Sequence, residues 1–323
     1  MAIASKRQKG IHNRVANIDN TGFGANSSVE GGRLVNPDGT NNLRKTGIPF
    51  WERISMYHSL LQMKRSHLFI TIFLFYTVAN LVFATLYFSI GVDKLGIVGV
   101  GSPMGQFMEA FFFSSQTMTT VGYGKVAPEG LAANVIASFE SLLGILSFAV
   151  VTGLIYGRFS RPRAYLLFSK NIIIAPYKEG KGLMVRVATY KNNHLTDVEA
   201  HITLAVHEKD NDRTVTKFFQ LKPEIAKISS LALSWTIVHA LDDDSPLNQY
   251  TKEDVVESKM EVIVTIKAFD DHFSNIVQQR TSYTYEQVIY GAKFLPMFER
   301  ARDGSQTILE LDKINSHELI NLA

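Results

Sequence analysis

The chain has no cysteine among its 323 residues, which excludes disulfides, thiolate metal ligands and a cysteine nucleophile. Its nine histidines fall at no metal-ligand spacing, and His201, His207 and His239 are expected to be structural. Other absences are equally informative. No Gly-rich fingerprint follows a strand, which excludes a dinucleotide-binding regulatory fold. No helix carries arginine at every third position, which excludes a voltage sensor. Lys6, Arg7 and Lys9 lead into no apolar core, so a signal peptide is not expected. No enzymatic activity, bound cofactor or nucleic-acid partner is expected.

The absence that organises the chain is that of charge. From Ser66 to Val92 there is no Asp, Glu, Lys or Arg, and from Gly130 to Gly157 the one charged residue is Glu140. At about 1.5 Å per residue both runs exceed a hydrocarbon core of about 30 Å, so each is a transmembrane helix. A mean hydropathy near zero therefore averages an apolar half with a charged, alternating half. Lys64 and Arg65 precede the first span and Arg158, Arg161 and Arg163 follow the second, whereas the connection holds only Lys94 and Lys125. Both termini are thus expected on the cytoplasmic side of the cell (inner) membrane.

Residues 1–46, rich in Gly, Asn and Ser, are expected to be flexible. Residues 47–65 form an amphipathic interfacial helix, with Phe50, Ile54, Tyr57, Leu60 and Leu61 at helical spacing. The membrane-spanning part covers 66–158, a linker 159–168 and a soluble domain 169–323. Between the spans, GQFMEAFFFSSQT (105–117) is too short to cross and suits a re-entrant helix. It runs into TMTTVGYG (117–124). Gly122 and Gly124 open backbone conformations closed to residues with a Cβ, so the carbonyls of Thr120, Val121, Gly122 and Tyr123 can point one way. Those oxygens can replace the water of a stripped cation, with the Thr120 hydroxyl below them and the Tyr123 ring packed sideways. A Gly-rich turn is the plain alternative.

Beyond Arg163 the period becomes two, in IIIAPY (172–177), LMVRVATY (183–190), VEAHITLAVH (198–207), LALSWTIVH (231–239) and MEVIVTIKAF (260–269). An all-β, immunoglobulin-like sandwich is predicted.

TVGYG (120–124) is the filter string of potassium channels. Together with YGRFSRPRAYLLFS (156–169), SWTIVHALDDDSPL (234–247) and RTSYTYEQVIYGAKF (280–294), it makes residues 36–310 resemble the inward-rectifier potassium channel family, in particular its bacterial branch. The resemblance implies a homotetramer in the lipid bilayer, with K+ held at Thr120, Val121, Gly122 and Tyr123 and Gly124 closing the filter. It places Phe148, Thr152 and Tyr156, which share a helix face, on the pore and Tyr156 at its narrow end. Strong rectifiers carry an acidic or amide residue where Phe148 stands, so block by Mg2+ or polyamines is expected to be weak. Glu199 and Asp271 match acids of the cytoplasmic pore, and 270–277 its constricting loop without the family's glycine. Lys64, Arg65, Arg158, Arg161, Arg163 and Lys170 are candidates for an anionic phospholipid or phosphoinositide headgroup, although Ala164 replaces a basic position. Gly144 and Gly153 serve bending or close packing, and Glu140 is an intramembrane acid, functional or a hydrogen-bonding group behind the filter. The reading from a different class is a nonconducting membrane receptor whose β-domain binds a partner.

Overall fold

The computed structural model describes residues 22–23, 33–49, 55–97, 101–210, 213–248 and 250–322. It divides into two units, one of residues 46–161 and one of 162–323 joined by the segment that ends at Lys45.

In the first unit, α1 (Met56–Gln62) begins where the Ser55 side chain accepts from the His58 amide at 3.3 Å. The helix expected over 47–65 is therefore shorter: residues 47–49 are not helical, Met63 and Lys64 interrupt the run before the next helix, and Phe50 and Ile54 lie outside the described residues. The long helices α2 (Arg65–Ile90) and α4 (Gly130–Phe159) coincide with the two charge-poor runs. Between them, α3 (Pro103–Met118) starts with Ser102 as N-cap and Pro103 in the first turn, where a missing amide costs nothing. Tyr87, Leu95, Ala110 and Phe113 form a buried cluster that joins α2 and α3.

The second unit is a sandwich of two five-stranded sheets. One sheet is built on β3 (Gly180–Thr189), flanked by β1 (Leu166–Phe168) and β2 (Ile172–Tyr177) on one edge and β7 (Ser234–Ala240) on the other; β10 (Val288–Tyr290) runs parallel to β2. The other has the order β5 (Arg213–Leu221), β4 (Leu195–Asp210), β8 (Glu261–Asp270), β9 (Asn275–Thr284), with β6 (Lys227–Ser230) also on β4. Val185 and Ile237 from the first sheet meet Ile202, Leu204, Val262 and Val264 from the second in one core. The short helix α5 (Lys252–Glu257) opens on a capping box between Thr251 and Asp254. Two small ladders complete the unit, β11 (Ala292–Phe294) with β14 (His317–Leu319) and β12 (Phe298–Arg300) with β13 (Thr307–Leu309).

One expectation is overturned. Part of the segment expected to be flexible, residues 33–42, is a packed strap on the outer face of the second sheet. Leu34 and Val35 are buried against Ala205, Phe218 and Ile263. The Glu261 carboxylate accepts the amides of Leu34 at 2.7 Å and Val35 at 3.1 Å, and the Arg280 guanidinium donates to the Gly39 carbonyl at 2.6 Å. The physical reason is that the anchoring groups lie more than two hundred residues away, so composition near the strap carries no sign of them.

The tightest backbone approach in the membrane unit is at Gly144. A Cβ there would lie 2.2 Å from the carbonyl oxygen of Met118, whereas one on Gly153 would meet nothing within 4 Å. Of the two roles open to Gly144, the structure assigns close packing. Gly144→Ala should cost about 1–3 kcal/mol through overpacking, and Gly153→Ala should be neutral or stabilising by up to about 1 kcal/mol from helix propensity. Thermal unfolding of the two variants in detergent checks this; equal midpoints would refute the packing assignment.

Candidate functional site

At the end of α3 the chain does not simply exit. Thr119 ends the helix, its amide donating back to Ser115 and Thr117. The next three amides also return to α3: Thr120 donates to the Thr117 carbonyl at 3.0 Å, and Val121 and Gly122 converge on the Gln116 carbonyl at 3.0 and 3.4 Å. Among the described residues, the carbonyls of 120–123 accept no hydrogen bond. The amides of 120–122 are engaged, and the carbonyls of 120–123 are bare among the described residues.

Backbone handedness alternates along the same residues. Thr120 has φ 59°, Gly122 φ 51° and Gly124 φ 75°, while Val121 and Tyr123 are not positive. Alternating left- and right-handed residues turns amides to one edge of a segment and carbonyls to the other, the geometry that makes anion-binding nests on the amide edge. The carbonyl edge is its cation-facing counterpart. A β-branched threonine with positive φ is a genuine outlier, of order 1–3 kcal/mol, of the kind that clusters at functional sites. A Cβ on Gly122 or Gly124 would meet nothing within 4 Å, so the requirement for glycine is conformational and not steric.

Beside this segment lies a largely apolar groove of the single chain, of about 560 Å³ and open on one side. Met118, Thr119 and Thr120 of the α3 exit, Tyr76 of α2, and Gly144 and Phe148 of α4 contribute to its wall. Thr120 and Phe148 are thus brought together. Thr152 and Tyr156 follow on the same exposed face of α4, with Phe148 76% and Tyr156 73% accessible in the single chain.

The basic residues divide. Arg158 donates to the carbonyls of Leu60, at 3.5 Å, and Met63, satisfying groups that α1 leaves free at its C-terminus. The Arg65 guanidinium lies 5.9 Å from the centre of the Phe159 ring. Lys64, Arg161, Arg163 and Lys170 are exposed.

In the sandwich, Glu199 on β4 pairs with Lys227 at 3.4 Å, and Lys227 also reaches Asp197 at 3.2 Å. Asp271, in the turn between β8 and β9, accepts from His194 at 2.5 Å and Thr196 at 3.0 Å, and these bonds hold its carboxyl below the ordinary range. His239 is structural: its Nδ1 donates to the Lys222 carbonyl at 2.8 Å and its Nε2 accepts from Ser245, while burial pushes its pKa down. This explains the histidine and Asp-Ser-Pro-Leu block as a turn clamp.

Glu140 is expected from the sequence as an intramembrane acid; what residue spacing does not reveal are its partners. Glu140 is fully buried with Asn80 and Ser114, and it contacts Ser114 and Tyr87. The available signal is weak, namely polar side chains inside apolar helices.

Comparison with known proteins bears on most of the chain. Residues 166–322 match the family model of the inward rectifier potassium channel C-terminal domain, and 69–161 match an ion channel model. The inward rectifier potassium channel Kirbac3.1 of Paramagnetospirillum magnetotacticum is 33% identical over 290 residues, covering 89% of this chain and 95% of that protein. The inward rectifier potassium channel irk-1 of Caenorhabditis elegans is 21% identical over 307 residues, covering 88% of this chain and 56% of its own length. A crystal structure of Spo0M, a sporulation control protein from Bacillus subtilis, aligns with 38% of this chain and 47% of its own, at 13% identity and a TM-score of 0.19, and carries no argument.

Arg158 separates two roles experimentally. Arg158→Leu should deprive the α1 carbonyls of their donor, at about 1–3 kcal/mol, and speed amide exchange across Met56–Gln62 without changing binding to vesicles of anionic lipid. Unchanged exchange with weakened vesicle binding would return Arg158 to the headgroup ligands.

Proposed function

We propose, from the premise that this chain belongs to the inward rectifier potassium channel family, that four copies assemble around an axis and pass K+ between the carbonyls of Thr120, Val121, Gly122 and Tyr123. The carrying observation is the set of bare carbonyls with alternating φ. Irregular backbone at membrane depth is tolerated only where protein buries it or it lines a water-filled path. The chain contains one helix, loop and helix unit and no repeat, so a closed ring requires identical subunits.

Conduction then needs little chemistry. A K+ ion gives up its water for carbonyl dipoles that are already oriented, and neighbouring sites keep it mobile by mutual repulsion. The α3 C-terminus aims its partial negative end at the groove, which favours a cation there. Phe148 on the groove wall offers area without charge, so cytoplasmic Mg2+ and polyamines are held weakly. Tyr156, two turns further along α4, forms the steric gate, with the 270–277 turn as the second constriction. Glu199 and Asp271 line the cytoplasmic pore, although each is already engaged, with Lys227 and with His194. Both termini lie in the cytoplasm, and Lys64, Arg65, Arg161, Arg163 and Lys170 meet anionic headgroups at the bilayer surface.

Replacing Gly122 tests the reading, because its φ is costly for any residue with a Cβ. Gly122→Ala should lower K+ over Na+ selectivity in liposomes by on the order of tenfold or more, as a strain of about 1–3 kcal/mol implies, while leaving the tetramer assembled. Unchanged selectivity in the assembled variant would rule out these carbonyls as the filter.

A further inference from the structure

Glu140 sits in the membrane unit with 0% exposure, and so do its neighbours Asn80 and Ser114. Neither the 66–92 run, nor α3, nor α4 as far as Gly157 contains a Lys or Arg, so no guanidinium or ammonium group from these stretches neutralises it. The polar contacts around it form one line. The Tyr87 hydroxyl donates to Glu140 Oε2 at 2.7 Å, Glu140 Oε1 meets Ser114 Oγ in a short hydrogen bond, and Ser114 Oγ meets Asn80 Oδ1 at 3.0 Å. Asn80 Nδ2 donates to the Tyr76 carbonyl at 2.7 Å.

Counting protons along this line fixes their direction. The Tyr76 carbonyl can only accept, so the asparagine amide must point its NH2 there; the flipped amide would set oxygen against oxygen. Asn80 Oδ1 therefore faces Ser114 and must receive that residue's single hydroxyl proton. Ser114 has none left for Glu140 Oε1. The proton in the short Ser114–Glu140 contact must come from the carboxyl group.

We infer that Glu140 is held as the neutral acid and is the positioning residue of the pore helix α3. It relays a one-way chain of hydrogen bonds, Tyr87 to Glu140 to Ser114 to Asn80 to the Tyr76 carbonyl, that ties α3 to both long helices. The tie is in register with the packing contact one turn on: Glu140 and Gly144 of α4 face Ser114 and Met118 of α3, each pair four apart. Two successive turns fix the height of α3, and with it the Gln116 and Thr117 carbonyls that hold the amides of 120–122. The effect on permeation rests on reading 120–124 as the filter, whereas the proton assignment does not.

The test uses the assembled channel in liposomes, in wild-type form and as Glu140→Gln, Glu140→Ala and Ser114→Ala. At neutral pH the infrared spectrum of the wild type should contain the C=O stretch of a buried carboxylic acid that Glu140→Gln removes. Absence of that band would overturn the neutral assignment. A glutamine can accept from Tyr87 and donate to Ser114, so Glu140→Gln should keep wild-type K+ over Na+ selectivity. Glu140→Ala should lose about tenfold, the scale of a buried group left without its partner. Wild-type selectivity in Glu140→Ala, or loss in Glu140→Gln equal to that in Glu140→Ala, would overturn the positioning role. If Glu140→Ala does not assemble, Ser114→Ala carries the same expectation through a smaller change. A wild-type protein that does not discriminate K+ from Na+ would instead refute the filter reading, and the infrared result would still decide the proton.

Discussion

A backbone amide group placed at membrane depth must find a partner, and in residues 120–124 the two halves of the peptide group are treated differently. The amides of Thr120, Val121 and Gly122 fold back onto the last turn of α3, while the carbonyls of 120–123 are left without donors among the described residues. Positive φ at alternate positions is what permits this separation. The contacts of α3 with α2 and α4 hold the helix turn that accepts those amides.

The segment is held from behind. Because α3 supplies the accepting carbonyls, its own position sets theirs, and polar contacts add to the buried Ala110 and Phe113 in fixing it. Gly144 lets α4 close on the Met118 carbonyl, Tyr76 meets Ser115 at 2.5 Å from α2, and the Glu140 group lies between all three helices. These are polar or backbone contacts in a region where apolar packing gives little direction, since the lipid is as apolar as the side chains. At the other end of α4, Arg158 fastens α1 through main-chain carbonyls. A movement of this end of α4 would therefore pull on α1 directly.

Much of this was legible from the sequence because it rests on local pattern. The charge-poor runs mark α2 and α4, and TVGYG marks the segment that needs glycine for its backbone. The strand over 172–177 is read to the residue, and its unbroken IIIA follows from burial on both faces, Ile172 toward the sandwich core and Ile173 toward Ala292 and Phe294. What was missed depends on partners far along the chain. The strap at 33–42 looks like a linker until Glu261 and Arg280 are placed beside it. Arg158 looks like a membrane-surface charge until the end of α1 is seen to lack donors. The acid at position 140 is visible in the sequence, but its proton is not, because that follows only from the direction in which Asn80 must point.

In the proposed channel, the bare carbonyls of 120–123 replace the water of a permeating cation. The most direct measurement is anomalous scattering from crystals of the assembled protein grown with Rb+ or Tl+ in place of K+. A single file of peaks is expected on the symmetry axis, level with the carbonyls of Thr120, Val121, Gly122 and Tyr123 and absent when Na+ alone is present. An axis without such peaks, or peaks coordinated only by side chains elsewhere, would contradict this reading.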